Sequence, residues 1–319
     1  MASAIMMSSP YILVTGFGPF RHHIVNPSWE VVKLLPNELI VACEDGPELR
    51  VAVVKHLLSV EYSVAADLYQ SDFPLNVCQA ETLPLLIIHV GVNGKSAVIE
   101  FERYAYNRVR GLDVAQQSPA DGKVISADAL DARLGTDLDL KEVVDHTLRQ
   151  CDGLPMPLRV LRPVLRPLTA GLSVALLGLN LLPGPRVRVS RDGGRYVCNF
   201  VYYHACRWVT SAASASASEP ETPASSADAS STGAEKAGAV DSAGRQEVGG
   251  GVQGSMLPAW CCATPRGAVA VQPQCVFVHI PPEGKPFSVP KMADILGLAV
   301  HKMISMRVEA ARGTASAAV

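Results

Sequence analysis

Three short stretches, far apart in the chain, carry a thiol, an imidazole and a carboxylate in settings suited to nucleophilic chemistry. Cys198 stands in Gly193-Gly194-Arg195-Tyr196-Val197-Cys198-Asn199-Phe200. His279 ends the apolar run Cys275-Val276-Phe277-Val278, just before Ile280-Pro281-Pro282. Glu102 lies in Phe101-Glu102-Arg103-Tyr104-Ala105-Tyr106-Asn107. A thiol becomes a strong nucleophile when an imidazole takes its proton and a third group fixes the imidazole. Each residue also has a plainer reading: a buried structural cysteine, a satisfied core histidine, an ordinary surface carboxylate. The spacing decides nothing, because such sets assemble in space, so the flanks carry the signal. Cys198 follows a strand end and a Gly-Gly turn and directly precedes a predicted helix, whose N-terminus favours a thiolate. His279 sits at the mouth of a predicted strand before a rigid Pro-Pro turn. His89 falls inside a strand and reads as structural, and His22 and His23 fall in a loop.

The elements that must position these residues are legible in outline. Tyr11 to Thr15 reads as a buried strand, followed by the turn Gly16-Phe17-Gly18-Pro19-Phe20. Asn26 caps a helix with Pro27 in its first position; the helix continues from Ser28 to Leu35, and Pro36 stops it. Further buried strands are expected at Leu85–Val90, Arg186–Ser190 and Cys275–Ile280. The first of these is closed by the loop Gly91-Val92-Asn93-Gly94. Asn199 to Val209 has apolar residues at helical spacing, and Val289 to Ala311 is a long amphipathic helix with Met292, Ile295, Leu296, Ala299 and Met303 on one face. Strands alternating with helices predict an α/β fold: three α/β/α layers around a mainly parallel twisted sheet, as in phosphorylases and hydrolases. Such sheets bind ligands at the carboxyl ends of their strands, where each distinctive loop is expected to lie. Gly16-Phe17-Gly18 lacks the third glycine of a dinucleotide loop, and Pro19 intrudes where a helix would open. Phe17 and Phe20 instead suit the wall of a small apolar pocket.

Composition sets outer limits. The chain has 319 residues, 48% of them hydrophobic, and a formal charge of -2. That balance gives no electrostatic reason to expect nucleic acid or an anionic membrane as partner. Eight cysteines are present and none forms a CxxC pair, so no metal site is expected. No Lys or Arg precedes Arg21, which argues against a secretory signal or a mitochondrial presequence and for a reducing cytoplasm. The uncharged stretch 168–182 is shorter than the roughly 20 residues a bilayer requires, so no membrane span is expected. Residues 211–255 contain no Leu, Ile, Met or aromatic residue and read as disordered. The expected organisation is one α/β domain over 1–319 with two inserts, an apolar one at 155–185 and the polar tract at 211–255.

Taken together, these segments resemble the pyroglutamyl peptidase I (pyrrolidone-carboxylate peptidase) family of cysteine peptidases. The blocks that carry the resemblance are Val14–Phe20, Val25–Trp29, His89–Gly94, Glu102–Asn107, Asp192–Cys198 and Phe277–Pro282, in the family's order. The resemblance covers roughly residues 10–150, 185–209 and 273–311. It implies removal of an N-terminal pyroglutamyl residue from peptides, without metal or cofactor. Cys198 would be the nucleophile, His279 the general base and acid, and Glu102 the group that orients the imidazole. Phe17, Phe20 and Tyr196 fall on the family's aromatic wall positions, and Asn26, Val92 and Val197 on its substrate-binding side. Arg110 is a weaker candidate for the oxyanion, beside the Cys198 backbone N–H. Bacterial members carry Gln where this chain has Val92. Oligomers occur in the family, so one is left open here.

Cys198 and His279 are 81 residues apart (279 − 198), more than is usual in the family, and the tract 211–255 accounts for most of the excess. Closure entropy grows only logarithmically with loop length, so such an insertion is compatible with an intact site. An alternative reading is a catalytically silent member acting as a binding protein. A third reading is a different hydrolase or phosphorylase on a related α/β scaffold; a nucleoside phosphorylase would need a basic or Gly/Ser phosphate loop, and no convincing one is found.

Overall fold

The computed structural model describes residues 10–20, 24–43, 46–70, 73–78, 80, 82–151, 186–217 and 272–317. Insert 155–185 and positions 218–255 lie outside the described residues, as do His22 and His23. In chain order the elements are β1 (Tyr11–Phe17), α1 (Pro27–Leu34), β2 (Glu38–Cys43), β3 (Gly46–Leu58), α2 (Tyr62–Asp67), α3 (Leu75–Cys78), β4 (Leu86–Val92), β5 (Ile99–Glu102), β6 (Tyr104–Tyr106), β7 (Arg133–Gly135), α4 (Leu140–Cys151), β8 (Val187–Ser190), α5 (Val197–Ala217), β9 (Gln274–Ile280) and α6 (Val289–Ala317).

Seven strands form one sheet in the order β2-β3-β1-β4-β9-β5-β8, and β6 and β7 form a separate two-stranded ribbon. The central strands are apolar on both faces because helices cover both. Alternate residues go to opposite layers. Ile12, Val14, Leu86, Ile88, Val90, Val276 and Val278 pack with Val31 and Val32 of α1 and with Met292, Ile295, Leu296 and Met303 of α6. Tyr11, Leu13, Ile87, Cys275 and Phe277 pack with Tyr62 of α2 and with Val201, Ala205 and Trp208 of α5. This is the expected three-layer α/β/α architecture.

Strand direction departs from expectation in a way that matters for the site. β3, β1, β4 and β9 are mutually parallel, but β5 pairs antiparallel with β9 and parallel with β8. The loops after β1, β4 and β9 therefore open at one sheet edge as expected, whereas Glu102 ends a strand that runs the other way. The antiparallel hairpin β2–β3 at the sheet edge also escapes the sequence reading, since its residues alternate between buried and exposed with mixed polarity.

Helix boundaries follow local chemistry. Asn26 caps α1, its side chain accepting the Ser28 N–H at 3.1 Å, with Pro27 in the first turn. α5 begins at Val197, so Cys198 lies within its first turn rather than ahead of it. The helix continues to Ala217, which makes residues 211–217 of the expected disordered tract helical. Thr210, Ser211 and Ser214 each donate a hydroxyl hydrogen bond to the carbonyl four residues back, which removes the usual competition of these side chains with helix.

α5 runs antiparallel to β9. Eight helical residues from Cys198 to Cys206 advance roughly 12 Å, and four strand residues from His279 to Cys275 roughly 13 Å. The two elements thus stay in step from the site to the Cys206–Cys275 pair, whose sulfurs are 3.4 Å apart.

Candidate active site

His279 stands at the carboxyl end of β9, facing α5. In the β5–β9 register Glu100 lies opposite His279 and Glu102 opposite Phe277, so Glu102 and His279 are diagonal neighbours on one sheet face. A glutamate side chain is long enough to span that diagonal. Glu102 Oε1 lies 2.8 Å from His279 Nδ1, and both residues are buried. The contact fixes the ring and assigns Nδ1–H as the donor to the carboxylate. Nε2 is left for the Cys198 thiol, with which His279 also hydrogen-bonds.

The Glu102 backbone is anchored as well. The Tyr202 hydroxyl donates to the Glu102 backbone carbonyl at 3.0 Å. Glu102 Oε2 is buried without a hydrogen-bond partner among the described residues. Among the described residues no other donor competes with the imidazole for the negative charge, which strengthens that one contact in a low-dielectric setting. Gly193 is why the carboxylate fits: a Cβ there would meet Glu102 Cδ at 3.0 Å. The next residue, Gly194, is required for a different reason, since its φ is +86° and its N–H closes a turn on Asp192 Oδ1 at 3.0 Å. The Gly-Gly turn read from the sequence thus carries two separate demands.

Burial alone would disfavour the His279 cation. Hydrogen bonds to Cys198 and Glu102, with the charges of the same two groups, outweigh it and push the imidazole up from 6.5 to about 10. Because the folded value is raised, the stability contributed by this proton is fully present below the unfolded value near 6.5 and is lost as pH rises through about 10. We predict that the His279 imidazole resonances, followed by NMR, show an inflection near pH 10. An inflection near the ordinary imidazole value would contradict the assignment.

His89 confirms its structural reading. Its Nδ1 lies 2.7 Å from the Thr15 hydroxyl and its Nε2 2.6 Å from the Tyr69 hydroxyl. Burial, helped by the nearby His56, lowers it to about 3, so it stays neutral.

The thiol and imidazole open into a cleft of about 750 Å³ lined by Phe17, Phe20, Asn26, Val92 and Tyr196, among others. Tyr196 presents its ring, because its hydroxyl is committed to the Leu112 carbonyl at 2.8 Å. The Phe20 ring packs on it at 5.4 Å, and behind it Tyr62 stands edge-on at 5.9 Å. Asn26 lines the cleft, but its amide is used to shape it: Nδ2 donates to the Gly18 carbonyl at 2.8 Å, and Oδ1 accepts from the Ser28 hydroxyl at 2.9 Å. The Ser28 oxygen in turn accepts the Phe17 N–H at 3.0 Å. Asn26 thereby sets the Phe17–Phe20 loop rather than offering a free polar group.

Two expected site residues are placed elsewhere. The Val197 side chain is fully buried in the layer between sheet and α5 and does not face the cleft, so only its backbone is available there. Arg110 is exposed and does not line the cleft. Its backbone N–H is bound to the Arg195 carbonyl at 2.7 Å, while Val109 is buried, and this alternation turns Arg110 outward.

Several supporting residues escape sequence reasoning. Gly91 belongs to β4, pairs with His279, and sits under the thiol; a Cβ there would lie 3.0 Å from Cys198 Sγ. Asn199, buried next to the thiol, ties the start of α5 to the β6 segment, accepting the Tyr106 N–H at 2.8 Å and donating to the Tyr106 and Arg108 carbonyls. Asn107 is fully buried and organises the 124–129 loop through five side-chain hydrogen bonds. An asparagine in a motif signals this use only once its neighbours in space are known. Among the described residues no group of His, Cys, Asp and Glu is arranged to hold a metal ion, and no helix is long and apolar enough to cross a membrane.

Fold and cleft define an α/β/α protein of the cysteine-hydrolase type: a thiol, an imidazole and a carboxylate linked in that order at the edge of a mainly parallel sheet. Residues 10–156 match the family model described as pyroglutamyl peptidase. It is 27% identical to the pyroglutamyl-peptidase 1 of Homo sapiens over 195 residues, 60% of this chain and 70% of that protein. It is 29% identical to the pyrrolidone-carboxylate peptidase of Lactobacillus helveticus over 194 residues, 60% of this chain and 72% of the other. The crystal structure of Bacillus amyloliquefaciens pyroglutamyl peptidase I shares the fold, with a TM-score of 0.53 at 17% identity, covering 92% of this chain and 97% of that one.

Proposed function

We propose that this protein is a cysteine peptidase that removes an N-terminal pyroglutamyl residue from peptides through a thioester acyl-enzyme. The observation that carries the reading is the Glu102–His279 contact of 2.8 Å beside Cys198, in a cleft walled by Phe17, Phe20 and Tyr196. A pyroglutamyl residue is a flat neutral lactam with no free amine. Enzymes that grip a cationic N-terminus cannot hold it, whereas aromatic faces can, with backbone partners for the lactam N–H and C=O. Val92 lines the cleft with an apolar side chain, so polar contacts at that position come from backbone alone.

In the first half-reaction the Cys198 sulfur, with its proton held on His279 Nε2, attacks the pyroglutamyl carbonyl carbon. First-turn N–H groups of α5, Cys198 among them, have no carbonyl four residues back within the helix and can receive the oxyanion. The tetrahedral species collapses to the thioester as His279 gives its proton to the departing amine. Water, deprotonated by His279, then attacks the thioester; pyroglutamate leaves, and the proton stays on His279 beside the freed sulfur. Glu102 orients the ring and stabilises its cation and does not itself take the proton. Cys198 is not in a disulfide, and a reducing cytoplasm is the compartment that keeps it reactive.

The test is release of a fluorescent amine from a pyroglutamyl-amide, with and without iodoacetamide, beside a prolyl-amide control. Thiol-sensitive release from the first substrate alone is expected. A folded, reduced protein that releases nothing would instead favour a silent binding protein. Glu102→Gln is expected to lower kcat by about 10- to 100-fold and to move the alkaline limb downward, because the amide still accepts the Nδ1–H but no longer supports the cation. A Gln variant with an unshifted limb would remove Glu102 from its orienting role.

A further inference from the structure

The cleft is far larger than one five-membered ring. Ligand pockets of several hundred Å³ hold drug-sized molecules, and this one measures about 750 Å³. Phe17, Phe20 and Tyr196 account for the ring, and Asn93 to Lys95, Pro282 and Lys285, in the loops that follow β4 and β9, supply much of the remaining lining, along which a leaving peptide can lie.

Those loops are neighbours by construction. Val92 pairs with Ile280 in the parallel register, and the Asn93 N–H donates to the Ile280 carbonyl at 2.9 Å. Each loop then puts an exposed lysine into the cleft lining, Lys95 from the first and Lys285 from the second. Three acidic groups near them, Asp192, Glu100 and Glu102, are otherwise engaged. Asp192, the one carboxylate among the described residues that line the cleft, binds the Arg195 guanidinium and the Gly194 N–H. Glu100 is buried behind the Asn93 loop, bound to Arg188 and to the Asn93 amide at 2.8 Å. Glu102 is bound to His279, and Glu283, in the same turn as Lys285, does not line the cleft. Neither lysine forms an ion pair among the described residues. The leaving-peptide half of the cleft is therefore cationic, within a chain of net charge -2.

We propose that Lys95 and Lys285 determine specificity on the leaving-peptide side, favouring peptides that carry a carboxylate in the first residues after the pyroglutamyl group. This rests on the peptidase reading above. The attraction is between exposed groups, so it is modest and screened by salt.

The experiment compares kcat/KM for three peptide amides, pyroglutamyl-glutamyl, pyroglutamyl-alanyl and pyroglutamyl-lysyl, with a pyroglutamyl-coumarin amide run in parallel. The expected order is glutamyl above alanyl above lysyl, with the glutamyl-to-lysyl ratio falling roughly two- to fivefold in each of Lys95→Gln and Lys285→Gln. The ratio should shrink in high salt and reverse in the double variant Lys95→Glu/Lys285→Glu. Equal rates for the three peptides from an enzyme that hydrolyses the coumarin amide would overturn the specificity proposal alone. No hydrolysis of the coumarin amide would overturn the peptidase reading and this one with it. Melting curves of the variants identify any loss due to misfolding, and the conservative Lys→Arg changes should restore the ratio.

Discussion

Replacing Cys198 by alanine is expected to lower kcat/KM on a pyroglutamyl-amide by about 10⁴-fold or more while leaving the fold intact, because members of such a set act as a unit and the nucleophile has no substitute. The side chain is only partly buried, in the first turn of α5, so its loss leaves no core cavity. Its electrostatic loss is larger, since both a hydrogen bond and a charge interaction with Cys198 help to raise His279. The variant should accordingly show a lower His279 pKa, read from the imidazole resonances by NMR titration, with a melting midpoint near that of the parent. Turnover that persists in a Cys198→Ala preparation free of contaminating peptidase would sink the mechanism. An unchanged His279 titration would show that thiol and imidazole are not coupled, whatever the rate.

Gly91→Ala should be nearly as damaging, and for a purely steric reason. The added Cβ would stand 2.8 Å from Phe277 Cζ and 3.0 Å from Cys198 Sγ. Phe277 cannot easily yield. It is buried, and its ring contacts those of Phe17 at 6.4 Å, His89 at 6.2 Å, Tyr202 at 6.1 Å and His279 at 4.7 Å. Moving the ring drags the imidazole; moving the sulfur pulls the nucleophile from its base. Either escape breaks the alignment. Misplacement of about 1 Å costs on the order of 100-fold in rate, and overpacking of this kind costs about 1–3 kcal/mol in stability. Alkylation of Cys198 should slow together with turnover, distinguishing a displaced thiol from general unfolding. An alanine variant with parental kcat would show that the site has slack the contacts deny.

How much of this was legible beforehand depends on whether the signal is local. Asn26-Pro27 announces a helix start because a side-chain oxygen and a fixed φ act on adjacent residues, and α1 begins there. The apolar runs at β1, β4 and β9 announce buried strands because a strand covered on both faces needs apolar residues at every position. Hairpin β2–β3 went unread for the complementary reason: an edge hairpin with mixed burial has no such run. Val197 and Arg110 were misplaced because matching a motif assigns positions without saying where each side chain points.

The sequence by itself determined which residue types stand at the strand and helix ends, and hence that a thiol, an imidazole and a carboxylate belong to an α/β fold. What only the tertiary structure decided is how they meet. β5 runs antiparallel to β9, so Glu102 reaches His279 along a sheet diagonal rather than from a neighbouring loop. Gly91 and Gly193 are needed because a sulfur and a carboxylate occupy the space their Cβ atoms would take. Strand direction and close approach depend on elements tens to hundreds of residues apart, and the energy that selects them comes from packing between those elements, which no local stretch of sequence contains.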